Sequence, residues 1–103
     1  MRKTPVYTLN EPVSQWLEKH GRIMYTEVLE SVENALKWNE PFTGIPVIIL
    51  QEETGSTLFT LKNTDSMIES MDKALAWFVT EEEYEKAARA RDARKSIVDR
   101  LPA

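Results

Sequence analysis

The sequence predicts an α+β fold in one domain spanning residues 1–103. Apolar residues recur at helical spacing through the first forty positions, giving two N-terminal helices. A β-branched run, a turn and a second apolar run then read as a β-hairpin. Two further helix starts near Ser66 and Thr80 complete the plan with a C-terminal antiparallel helical hairpin over residues 65–100.

The elements follow in order. Residues 5–9, PVYTL, read as a short third strand able to extend the sheet. In NEPVSQWLEKHG, Asn10 or Glu11 is placed to cap a first helix, with Pro12 in its first turn, where a missing N–H costs nothing. Gly21 is expected to stop that helix in a left-handed conformation. The second helix carries Tyr25, Val28, Leu29, Val32, Ala35 and Leu36 on one stripe, with Glu27, Glu30 and Glu33 facing outward, and Asn39 and Pro41 ending it. Val47 to Leu50 is apolar on both faces, as a covered strand requires, and EETGST supplies the turn into TLFTL. Ser66 with Glu69, and Thr80 with Glu83, match the S/T-x-x-E capping box and predict two helices that meet near Val79. The first of these presents Met67, Ile68, Met71, Ala74, Leu75 and Phe78 as its apolar stripe.

Composition narrows the function classes. With 42% hydrophobic residues, 103 residues suffice for a core without staples. The absence of cysteine excludes disulfides and thiolate metal sites. MRKTPVYTLNEPV is basic, but no apolar run follows it, so it does not read as a signal peptide. The run IPVIIL is too short to span a bilayer, and a soluble cytoplasmic protein is the expectation. His20 is the single histidine and reads as a helix-end residue, since no second histidine or cysteine exists to share a metal or a catalytic proton. The acidic pairs read as turn and helix-start residues rather than general acids. ETGST is too short and too poor in glycine for a phosphate loop. No enzyme and no cofactor is therefore expected.

The net charge of −4 disfavours nucleic-acid binding by the surface as a whole, but the C-terminal charges are segregated. In TEEEYEKAARARD, Glu81, Glu82, Glu83 and Glu85 come first and most of the bases follow. That order suits the helix macrodipole. Glu82–Lys86 and Glu85–Arg89 are spaced as i,i+4 ion pairs. Tyr84, Ala87, Ala88 and Arg91, followed by Lys95 and Val98, read as one face on which small residues admit a neighbouring helix.

The run YEKAARARD resembles the core of the UVR motif, aromatic-E-K-A-A-x-x-R-D, and MDKA, Met71 to Ala74, is similar to its upstream half. The similarity covers residues 65–100 and departs from the motif at Ala90, usually leucine, at Arg94, usually apolar, and in a longer stretch from Ala74 to Tyr84. The UVR motif is a helical hairpin of bacterial excision-repair subunits and Clp-type regulators that pairs with a second copy. The resemblance implies protein–protein recognition, with Tyr84, Glu85, Ala87, Ala88, Arg91 and Asp92, together with Met71 and Ala74, as partner-binding residues.

The function expected is that of a small non-enzymatic adaptor or regulator, a bacterial or phage accessory factor, acting through this hairpin on a protein partner or on itself. Two alternatives stand beside it. One is a nucleic-acid-associated protein that uses Arg89, Arg94, Lys95 and Arg100. The other is an acidic inhibitor that docks on a basic partner.

Overall fold

The computed structural model describes residues 2–101. The order is β1 (Val6–Thr8), α1 (Val13–Lys19), α2 (Gly21–Lys37), β2 (Ile45–Glu52), β3 (Gly55–Leu61), α3 (Thr64–Thr80) and α4 (Tyr84–Asp99). This is the expected α+β architecture. The sheet order is β1-β2-β3. β2 and β3 form the hairpin, and β1 adds to β2 in parallel, Val6 opposite Ile49. Helices α1 and α2 make the crossover between the parallel strands, as such a connection requires.

Helix α2 packs on β2, and α3 and α4 each pack on α2 and on one another. The core lies between the helices and one sheet face. Leu29, Val32, Val47, Ile48, Leu50, Met67, Met71, Phe78 and Ile97 are its larger members. Every predicted position on the α2 stripe is buried or half-buried, and α3 buries Met67, Met71, Ala74 and Phe78.

Strand β2 is covered on one face rather than two. The β2–β3 register skips at Val47, between Pro46 and Ile48. This bulge turns Val47 and Ile48 inward together. Ile49 then points to the open face, which explains an apolar run in a half-covered strand.

Helix boundaries differ from expectation in four places. Pro12 is the N-cap of α1 and not a first-turn residue, and no side chain caps that end. Gly21 opens α2 instead of stopping α1, and His20 joins the two helices. Helix α3 begins three residues before the Ser66 box, because Asn63 caps it, its Oδ1 accepting from the Ser66 amide at 2.9 Å. Thr80 ends α3, its hydroxyl donating to the Ala76 carbonyl at 2.9 Å, and so caps nothing.

Both long helices before a turn end alike. In α2 the Glu40 amide donates to the Ala35 carbonyl and the Asn39 amide to that of Leu36. In α3 the Glu83 amide donates to Phe78 and the Glu82 amide to Val79. These are Schellman closures, which require a left-handed residue at the turn. Asn39 (φ 50°) and Glu82 (φ 58°) occupy it.

Candidate protein-interaction surface

The three-residue turn Glu81–Glu83 folds α4 back along α3. Arg94 reaches Asp72, midway along α3, while Lys86 sits over the Phe78 ring near its end. The two helices are therefore antiparallel, as a helical hairpin demands.

Alanines set how α4 lies. Ala87, Ala90, Ala93 and Ile97 are its buried residues, so its axis approaches α2 and α3 closely. The inward stripe is thus centred on Ala90 and Ala93, away from the Tyr84–Arg91 line of the sequence reading. Met71, Ala74 and Ala87 belong to this packed interior. A partner reaches none of them without opening the hairpin, so they lie outside the exposed surface.

What remains outside is a stripe at intervals of four and three residues: Tyr84, Ala88, Arg91, Lys95 and Val98. Tyr84 is 63% exposed and Val98 41%, with Ala88 half-buried between them. Glu85 and Asp92 flank the stripe in solvent. Among the described residues the Arg91 guanidinium donates only to its neighbour Asp92, at 3.1 Å. Val79, 49% exposed at the end of α3, adds apolar surface to the hairpin exterior.

The basic residues divide. Arg89 makes a forked pair with Glu33 of α2, Nε to Oε2 at 3.0 Å and Nη2 to Oε1 at 2.5 Å. That bond holds the Arg89 pKa above its ordinary value. Arg94 Nε lies 2.6 Å from Asp72 Oδ1. Arg100 stacks 3.9 Å over the Phe42 ring and donates to the Glu40 carbonyl. Lys95 forms no ion pair among the described residues. The expected i,i+4 pairs do not form: Lys86 pairs locally with the N-cap residue Glu83 and reaches Thr26 of α2, and Arg89 reaches Glu33 of α2. Glu82 and Glu85 are left without an ion-pair partner among the described residues.

Elsewhere the acids and the histidine have structural neighbours. His20 stacks on Trp16, ring centroids 4.7 Å apart, and Glu11 binds Lys19 at 2.6 Å. Glu27 does not face water as expected but pairs with Arg2, half-buried beside the sheet, and burial raises its pKa. No group of three His, Asp or Glu side chains among the described residues stands close enough to hold a metal ion. No described helix is long and apolar enough to cross a membrane. Sequence reasoning missed Trp38, 57% exposed beside Lys37 at the end of α2, as a surface residue. Its place after the last buried stripe residue was the available signal.

No protein-family model matches the chain, and neither a curated protein nor a solved structure matches it.

Proposed function

We propose that the protein is a non-enzymatic interaction module whose C-terminal helical hairpin docks on a protein partner or on a like hairpin. The observation that carries this reading is the α4 stripe. It places Tyr84 and Val98, both substantially exposed, at either end of a line that also holds Arg91 and Lys95. An exposed aromatic and an arginine on one helix face, with an alanine between them, suit protein recognition. The resemblance of residues 84–92 to the UVR core points the same way.

The nucleic-acid reading loses support because Arg89 and Arg94 are committed to Glu33 and Asp72. Neutralised guanidinium groups release few phosphate counterions.

The test compares wild type with Arg91→Glu and Val98→Glu in affinity capture, followed by reconstitution with each purified partner. Both positions are exposed, so circular dichroism should be unchanged. A partner lost by both variants supports the reading. Retention of every wild-type partner by both variants would remove it.

A further inference from the structure

Strand β3 is the outer strand of the sheet, hydrogen-bonded to β2 alone among the described residues. Its residues read GSTLFTL: seven positions without a charge or a proline, in a chain that is 29% charged. All but Phe59 and Leu61 are exposed. Outer strands are ordinarily protected by a lysine, a proline, a bulge or shortness. The opposite edge has such protection, since β1 is three residues long and follows Pro5. β3 itself carries none of these devices, since the bulge at Val47 lies on β2.

The sheet's open face leads up to this edge. Val6, Ile49 and Leu58 stand in register across the three strands. Val6 is 55% exposed and Leu58 53%. Thr8, Gln51 and Ser56 form the next row.

We infer that β3 is a self-association edge, pairing antiparallel with β3 of a second copy to make a continuous six-stranded sheet. The strand is self-complementary about Leu58. A two-fold axis there sets Leu58 against the partner's Leu58 and extends the apolar row through both sheets. It also sets Thr57 against the partner's Phe59 and Ser56 against the partner's Thr60. Both are favourable cross-strand pairs, β-branched with aromatic and hydroxyl with hydroxyl. Charge agrees at the strand ends. Glu52 and Glu53 mark the turn before β3, Lys62 follows it, and none of the three has an ion pair among the described residues. Antiparallel pairing brings Lys62 of each copy to the acidic turn of the other. A parallel partner strand would instead put like ends together.

One strand pair buries less than the ~1,200 Å² of a standard interface, so the dimer is weak, with Kd in the micromolar range. Sedimentation of the full chain from about 10 μM to about 1 mM covers that range. Wild type should pass from monomer to dimer. Leu58→Lys places like charges opposite each other and should weaken dimerisation at least tenfold. Arg91→Glu, on α4 and outside the sheet, separates this edge from the α4 stripe and should leave the dimer intact. Hydrogen exchange on wild type needs no variant: β3 amides should slow at the higher concentration. A chain that stays monomeric, a dimer that survives Leu58→Lys, or β3 amides indifferent to concentration overturns the inference.

Discussion

A Cβ placed on Gly21 would stand 3.1 Å from the indole nitrogen of Trp77. Trp77 is held on two sides, against Tyr25 at 5.5 Å and edge-on to Phe78 at 5.6 Å between ring centroids, so its retreat disturbs both contacts. Glycine at the head of α2 therefore serves close approach, not a left-handed turn, and any side chain there must push the indole back by a few tenths of an ångström. Gly21→Val should cost about 1–3 kcal/mol through overpacking, measured by urea denaturation. A variant as stable as wild type would show that the indole moves freely.

Glu82 holds a left-handed position that favours glycine. Its carboxylate has no ion-pair partner among the described residues. Glu82→Gly should raise stability by about 0.5–1 kcal/mol, the relief of backbone strain exceeding the added freedom of the unfolded chain. A thermal melt that moves downward would contradict the strain account.

Asn63 is the side chain that starts α3. Replacing it with alanine should cost about 1 kcal/mol. Thr80→Ala should change little, because that hydroxyl bonds back within its own helix. Equal losses at the two sites would restore the capping-box reading.

Ala90 is fully buried where α4 meets its neighbours. A leucine there would have to displace packed neighbours on α2 and α3. Ala90→Leu should cost about 1–3 kcal/mol in chemical denaturation. A stabilised Ala90→Leu would mean that the interhelical gap is wider than the packing indicates.

Burial holds the Glu27 pKa above its ordinary value, with Arg2 opposing the rise. A carboxylate whose folded pKa is raised adds stability that is fully present below the unfolded pKa. That stability is lost as pH rises through the folded pKa. Part of the wild-type stability should therefore fall as pH climbs through and just above the ordinary glutamate range. Glu27→Gln should lack that component. An identical pH profile for the two proteins would count against it.

The helices of this fold are legible where large apolar residues contrast with charge. The α2 stripe from Tyr25 to Leu36 and the α3 stripe from Met67 to Phe78 each leave one orientation open. Helix α4 lacks that contrast. Alanines at 87, 88, 90 and 93 surround much of its circumference, so periodicity alone does not say which side is buried. Capping was misread for a related reason. Several residues near 63–66 can accept an amide, and the winner depends on how the chain leaves β3. The exposed line from Tyr84 to Val98 was readable as a face, but its exposure depended on how α4 rolls against α2.

The parallel pairing of β1 with β2 carries a kinetic consequence. The β-hairpin and the helical hairpin each close through short turns and form locally. Val6 meets Ile49 only after the intervening chain has been looped, at an entropy cost that grows with loop length. The strand nearest the N-terminus should then be the last to dock. Substitutions at Tyr7 should accelerate unfolding and leave the refolding rate nearly unchanged. A slowed refolding limb in Tyr7→Ala would place β1 in the nucleus instead.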